Sequence, residues 1–212
     1  MWSGWLRLSH WSVALATLGL LLTGWQLGAS AAGAPTALDL HYYSASVLVF
    51  GVALRLVLMV VGKPHECLAG LLPRLGELRS IGHTLRFYLS LGRMAVPRWY
   101  AHNPLWKPVY LAVYAVLVVQ VATGSLMQEH PVVWRFYLPA VHGFWAQVLL
   151  WFSLAHIVSV ALHDVKGKTA DVSAMLNGYR LFSIDRSQLP GGDEQPLKFV
   201  PRDRNGKRDQ LN

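Results

Sequence analysis

Apolar residues in this chain are concentrated in four long runs that are separated by polar connections. The runs cover roughly residues 11 to 31, 41 to 62, 108 to 127 and 140 to 163. A helix rises about 1.5 Å per residue, so about 20 apolar residues cross the ~30 Å hydrocarbon core of a bilayer. Each run is long enough to do so, and the pattern predicts four membrane-spanning helices.

The connections between the runs differ in positive charge, and this difference predicts an orientation. The connection 63 to 107 carries seven basic residues, namely Lys63, Arg74, Arg79, Arg86, Arg93, Arg98 and Lys107. The connection 32 to 40 has none, and the connection 128 to 139 has only Arg135. Because basic loops stay on the cytoplasmic side, we expect an all-α, integral membrane four-helix bundle with both termini cytoplasmic.

Composition agrees with this fold class and limits the chemistry. Hydrophobic residues make up 53% of the chain and charged residues 14%, with a formal net charge of +8. We attribute this charge to basic loops facing membrane lipid, and we expect no nucleic-acid partner. Cys67 is the only cysteine, which excludes a disulfide framework, a cysteine-ligated iron–sulfur cluster and covalent c-type haem.

The predicted organisation is a four-helix domain at 1–176, with a cytoplasmic loop at 63–107, and a cytoplasmic tail at 177–212. Leucine and isoleucine recur every three or four residues through 74–93 with arginines between them. This predicts an amphipathic helix on the cytoplasmic membrane surface, with a solvated helix packed on a partner as the alternative. A cleaved signal peptide is a further alternative for the first run, but the run is long for one.

Four histidines at the ends of the apolar runs carry the candidate chemistry. His10 and His41 open the first and second runs, and His142 and His156 lie 14 residues apart on the fourth. That spacing returns to nearly the same helix face about 21 Å further along. With the amino terminus inside, His10 and His156 are at one depth and His41 and His142 at the other. Two bis-histidine pairs predict two haem b groups, each held between facing helices.

Other polar or small residues in the apolar runs are weaker candidates. Arg55 interrupts the second run, and an arginine inside the bilayer costs free energy unless it is paired. We expect it to bind a propionate of the inner haem, or else to snorkel to the interface. His163 is expected near the headgroups, binding a propionate or a proton, or else as an interfacial residue. Gly19, Gly24 and Gly51 would let a porphyrin or a neighbouring helix approach closely.

Several motifs resemble the bacterial four-helix cytochrome b family that anchors nickel–iron hydrogenases and formate dehydrogenases and is related to b561-type cytochromes. The resemblance covers about residues 5 to 182. The matching segments are Arg7-Leu8-Ser9-His10-Trp11, His41 with the later Arg55, His102-Asn103-Pro104-Leu105, Ala155-His156-Ile157 and Met175-Leu176-Asn177-Gly178-Tyr179-Arg180. The long basic loop at 63–107 departs from the family pattern.

The resemblance implies the same histidine pairing and a quinone pocket near the inner haem, with His156 and Asn103 as candidate contacts. The expected function is that of an electron-transfer subunit of an oxidoreductase complex. It would pass electrons between an outer-face redox enzyme or cytochrome subunit and the membrane quinone pool. A stand-alone b561-type quinone or superoxide oxidoreductase and a haem-free membrane scaffold are the alternatives. The sequence leaves the direction of electron flow open.

Overall fold

Four long helices dominate the computed structural model, which describes residues 2–29, 34–72, 74–91, 93–94, 103–167 and 171–178. They are α1 (Gly4–Ala29), α2 (Ala34–Val61), α5 (Trp106–Leu126) and α6 (Leu138–Gly167). Each contains a stretch long and apolar enough to cross a membrane. The predicted all-α four-helix membrane bundle is confirmed.

Shorter elements lie in the connections. The 63–107 connection contains α3 (Leu68–Leu71), a turn of 3-10 helix (Leu75–Glu77) and α4 (Leu78–Leu89). Strands β1 (Val132–Val133) and β2 (Phe136–Tyr137) form an antiparallel hairpin between α5 and α6, and α7 (Asp171–Leu176) follows α6. His102 and nearly all of the predicted 177–212 tail lie outside the described residues, and the predicted domain boundary stays a prediction.

The first helix begins earlier than the hydropathy pattern predicts, because polar contacts hold its amino terminus. The Ser3 hydroxyl accepts a hydrogen bond from the Leu6 backbone N–H at 3.1 Å, as in an N-cap. The Ser3 N–H in turn donates to Glu66 Oε1 at 2.8 Å. His10 therefore lies in the second turn of α1 and not at its start, and His41 and His142 likewise lie inside α2 and α6.

Small residues let α1 and α2 pack closely. The Ser9 hydroxyl donates to the Gly51 carbonyl at 2.8 Å. A Cβ on Gly51 would lie 2.9 Å from Val13 Cγ2 and 3.1 Å from the Val13 nitrogen, and a Cβ on Gly19 would lie 2.7 Å from Ser44 Oγ. These two glycines therefore serve the predicted approach of helix to helix.

The centre of the bundle is apolar and draws on all four long helices. The buried cluster consists of Ala16, Leu48, Val52, Val116, Leu117 and Leu149. Leu149 is seven residues from both His142 and His156, so the cluster lies midway between the two histidine levels. It separates two cavities, one toward each end of the bundle.

The longest helix described in the 63–107 loop, α4, packs on the bundle through a face that does not contain its leucines. Thr84 and Phe87 are fully buried, whereas Leu78, Leu85 and Leu89 are exposed. An ion pair of 2.6 Å between Lys107 Nζ and Glu77 Oε1 also ties this segment to α5. The predicted amphipathic helix is therefore present, but its leucine face points away from the protein.

Candidate functional site

At one end of the bundle His10 on α1 faces His156 on α6. The centroids of the two imidazole rings are 6.3 Å apart. Both rings border a cavity of about 520 Å³, which we call the His10–His156 cavity. Its walls come from the four long helices and α7, with Leu71 contributed by α3 and Tyr88 by α4.

At the other end His41 on α2 faces His142 on α6. Their ring centroids are 6.4 Å apart. They border a larger cavity of about 780 Å³, the His41–His142 cavity, lined mainly by apolar side chains of the four long helices. The structure thus brings the four histidines together in the two predicted pairs.

The spacing of each pair suits an iron ion between the two rings. A metal–imidazole bond is about 2 Å long, so two imidazoles on opposite sides of one metal have ring centroids about 6 Å apart. Both observed separations, 6.3 and 6.4 Å, agree with this value. Both cavities also have volumes in the range of about 300–1,000 Å³ that is usual for cofactor sites. The residues present therefore fit two haem groups, each between two helices.

The two sites are well separated along the bundle. His142 and His156 share α6 and lie 14 residues apart, which corresponds to about 21 Å of helix rise. The buried apolar cluster fills the space between them. The arrangement places the two cavities at different levels of the bundle, with an apolar layer between them.

Two threonines that the sequence analysis did not single out contact the His41–His142 pair. Thr23 Oγ1 is 2.8 Å from His41 Nδ1, and Thr123 Oγ1 is 2.9 Å from His142 Nδ1. A glycine follows each threonine and lies against the same ring: a Cβ on Gly24 would be 3.7 Å from His41 Cε1, and one on Gly124 would be 3.2 Å from His142 Cε1. The signal in the sequence is a Thr-Gly pair that precedes His41 by 18 residues and His142 by 19 residues, counted from the threonine.

Aromatic rings surround the His10–His156 pair instead. Phe152 stacks on His156 with centroids 5.7 Å apart and an interplanar angle of 17°. Trp106 meets His156 edge-on at 6.2 Å, and Trp11 meets His10 edge-on at 5.5 Å. The two histidine pairs therefore lie in different chemical surroundings.

Arg55 is buried at the wall of the His10–His156 cavity. Its side chain is only 3% exposed, so it does not snorkel to an interface. Its Nη1 donates to the Glu66 carbonyl at 2.7 Å, and its guanidinium carbon lies 5.7 Å from the Tyr114 ring centroid. Arg55 thus places a positive charge beside this cavity, where the predicted contact with a haem propionate stays a prediction.

The Glu66 carboxylate completes a polar cluster at this end of the bundle. Burial raises the pKa of Glu66, but hydrogen bonds from the Ser3 backbone and side chain and from the Lys63 backbone, together with the charge of His65, lower it more. The pKa therefore lies below its ordinary value. An ionised Glu66 next to the amino terminus of α1 also interacts favourably with the helix dipole.

Asn103 and His163 both line the His10–His156 cavity. Asn103 Oδ1 accepts a hydrogen bond from the Leu105 N–H at 3.1 Å, and its buried Nδ2 has no hydrogen-bond partner within the described part of the chain. The His163 ring stacks on Tyr88, with centroids 5.3 Å apart and planes 7° apart. His163 is 5% exposed, so it is a buried residue and not the interfacial one considered from the sequence.

Comparison with known proteins agrees with these features. The family model described as prokaryotic cytochrome b561 matches residues 1–178. A probable Ni/Fe-hydrogenase B-type cytochrome subunit of Azotobacter chroococcum mcd 1 is 26% identical, covering 85% of this chain and 88% of the relative. A protein of the same description from Cupriavidus necator is 26% identical, covering 83% and 84%. The probable Ni/Fe-hydrogenase 1 B-type cytochrome subunit of Escherichia coli K12 is 23% identical, covering 82% and 87%.

No solved structure matches the chain. The family match nevertheless spans the four apolar helices and both pairs of facing imidazoles. With that match across residues 1–178, the chain belongs to the prokaryotic cytochrome b561 family, whose members are membrane electron-transfer proteins that bind haem b.

Proposed function

We propose that this protein is a dihaem cytochrome b subunit that carries electrons between a redox enzyme on the outer face of the bacterial inner membrane and the quinone pool. The observation that carries the proposal is the presence of two facing imidazole pairs, with ring centroids 6.3 and 6.4 Å apart, at two levels of one membrane bundle. A single haem would need only one such pair.

His10 and His156 ligate one haem b, and His41 and His142 ligate the other. Haem b supplies reversible one-electron chemistry when bound. The chain holds each imidazole, excludes water from the space between the levels and sets the local charge. The basic 63–107 connection lies at the His10–His156 end, so this end faces the cytoplasm by the distribution of positive charge.

The quinone site lies beside the His10–His156 cavity. Asn103 Nδ2 is a buried donor at the cavity wall that has no hydrogen-bond partner among the described residues. A quinone carbonyl is an acceptor that would satisfy it. His156 and His163 border the same space. Arg55 adds a fixed positive charge there, which suits a haem propionate or a reduced quinone oxygen. Protons for quinone reduction would then come from the cytoplasm.

The redox partner docks at the opposite end, near the His41–His142 pair and the β1–β2 hairpin. The relatives are described as subunits of nickel–iron hydrogenases, which supports an enzyme partner for this chain as well. Trp134 at the tip of the hairpin is 94% exposed, and exposed aromatic residues are frequent in protein interfaces and at membrane surfaces.

Quantification of haem in the purified chain tests this proposal. We expect two haem b per chain by pyridine haemochrome assay, and one in either His10→Ala or His41→Ala. His83→Ala, at an exposed position on α4 outside both cavities, is the matched control and should keep two. A wild-type chain without haem would refute the proposal, and a wild-type chain with one would refute the dihaem assignment.

Purification in mild detergent separates a subunit from a stand-alone oxidoreductase. We expect a catalytic redox subunit to co-purify with the haem-containing chain, and quinone reduction to depend on that subunit's substrate. Quinone reduction or superoxide oxidation by the isolated chain, at the rate measured with the catalytic subunit bound, would favour the stand-alone alternative.

A further inference from the structure

We propose that Thr23 and Thr123 are positioning residues that fix the tautomer of His41 and His142 and lower the midpoint potential of the haem between them. This inference rests on the proposed haem ligation and assigns a role to residues outside the ligand set. It follows from hydrogen-bond directions at two equivalent contacts.

Each threonine hydroxyl has a single proton to donate. Thr23 Oγ1 is 2.7 Å from the Gly19 carbonyl oxygen, and Thr123 Oγ1 is 2.8 Å from the Val119 carbonyl oxygen. A carbonyl oxygen only accepts, so each hydroxyl donates its proton to its own helix backbone. The hydroxyl oxygen is then left as an acceptor for the neighbouring imidazole.

The positions of the imidazole protons follow from these hydroxyl directions. The ring atoms that face the hydroxyls are His41 Nδ1, at 2.8 Å from Thr23, and His142 Nδ1, at 2.9 Å from Thr123. Each Nδ1 therefore carries the proton and donates it to a threonine oxygen. The lone pair of each Nε2 is free to bind iron, as the other nitrogen of a metal-bound histidine usually donates to an oxygen.

The same contact between a threonine and an imidazole occurs in two helix pairs. In the α1–α2 pair and again in the α5–α6 pair, a Thr-Gly dipeptide on the first helix meets a histidine on the second. The threonine fixes the rotation of the ring, and the adjacent Gly24 or Gly124 leaves space at its Cε1 edge. Each imidazole of the pair is thus held by a threonine of the neighbouring helix, and His142 has a further hydrogen bond with the Gln120 backbone.

The consequence is electronic as well as geometric. An imidazole that donates its N–H to an oxygen is a better electron donor to iron, which stabilises the ferric state and lowers the midpoint potential. The His10–His156 pair lies among aromatic rings. The two haems should therefore respond differently to changes at Thr23 and Thr123.

The test uses the variants Thr23→Val and Thr123→Val in the purified, haem-loaded chain. Valine keeps the shape of threonine but removes the hydroxyl. We expect two haems per chain in each variant. In potentiometric titration, the midpoint potential of the haem between His41 and His142 should shift upward, and the shift should be larger in the double variant. The midpoint potential of the other haem should not change. Thr23→Ser and Thr123→Ser should restore the wild-type value. Thr84→Val, at a buried threonine of α4 that lines neither cavity, should leave both potentials unchanged.

The outcomes separate the two hypotheses. Two haems with unchanged potentials in the valine variants would overturn the role of the threonines and leave the haem ligation intact. If the valine variants lose one haem, retention of that haem by the serine variants supports the role of the hydroxyl, whereas its loss in the serine variants overturns it. Absence of haem from the wild-type chain would refute the proposed function itself.

Discussion

At the scale of single residues, the neighbours of the four imidazoles differ more than the imidazoles do. The two pairs have almost equal ring separations, 6.3 and 6.4 Å, yet one pair contacts threonine hydroxyls and the other contacts aromatic rings. In the proposed dihaem arrangement, ligand identity alone would make the two haems equivalent. The different surroundings of the two pairs would then set two different potentials in one bundle.

The glycines beside the His41–His142 pair should differ in their tolerance of a side chain. A Cβ at Gly124 would lie 3.2 Å from His142 Cε1, whereas one at Gly24 would lie at an ordinary contact distance of 3.7 Å from His41 Cε1. Because His142 is also held by Thr123, it cannot easily turn away. We expect Gly124→Ala to reduce haem occupancy at this level and Gly24→Ala to leave it near the wild-type value, measured by haemochrome assay. Equal occupancy in the two variants would contradict the observed ring position.

The lowered pKa of Glu66 makes the stability of the His10–His156 end sensitive to acid. Since the folded pKa is below the unfolded one, the ionised carboxylate stabilises the protein above the unfolded pKa, and this contribution is lost as the pH falls toward the folded pKa. We expect the thermal unfolding temperature in detergent to fall more steeply with acidification in the wild type than in Glu66→Gln. Glu129→Gln, at an exposed position, should behave as the wild type; identical pH profiles for Glu66→Gln and the wild type would contradict this role.

At the scale of elements, the long helices follow from apolarity, but their ends and contacts do not. Four runs of about 20 apolar residues predict four spans. The start of α1 depends on the contact of Ser3 with Glu66, which is 63 residues further along the chain. Hydropathy contains no information about that contact. The histidine pairing could be predicted because helix depth follows from residue spacing. The threonines are marked only by the Thr-Gly spacing before His41 and His142. That spacing alone predicts no contact, because a threonine in an apolar helix ordinarily bonds only to its own backbone.

The orientation of α4 shows a second limit of sequence patterns. The leucine spacing correctly predicts an amphipathic helix, but it does not reveal which face meets the bundle. In the structure Phe87 and Thr84 pack inward and Leu89 is 77% exposed. An exposed leucine face at the end of a membrane bundle is typical of a helix that lies in the lipid interface.

Labelling at single cysteines tests whether lipid covers this face. In a Cys67→Ser background, a polarity-sensitive fluorophore on Leu89→Cys in membrane vesicles should emit at shorter wavelength and be quenched by a lipid-phase quencher. The same fluorophore on Arg86→Cys, at another exposed position of α4, is the matched control and should report water. Emission typical of water at both positions would place α4 outside the bilayer.

At the scale of the whole molecule, the proposal requires a fixed orientation in the membrane. The basic 63–107 connection and the β1–β2 hairpin lie at opposite ends of the spanning helices. In the Cys67→Ser background, Trp134→Cys should react with an impermeant maleimide added to intact cells, and Arg79→Cys should react only after permeabilisation. The reverse pattern would place the His10–His156 pair on the outer side and would contradict cytoplasmic quinone reduction.

The central claim is that four histidines form two independent ligand pairs, and haem content in double variants tests it most directly. If His41 and His142 share one haem, the double variant His41→Ala/His142→Ala should retain one haem per chain. This is the same number that each of the two single variants should retain. His10→Ala/His41→Ala removes one ligand from each pair and should retain none. Loss of both haems in the first double variant, or retention of a haem in the second, would contradict the pairing.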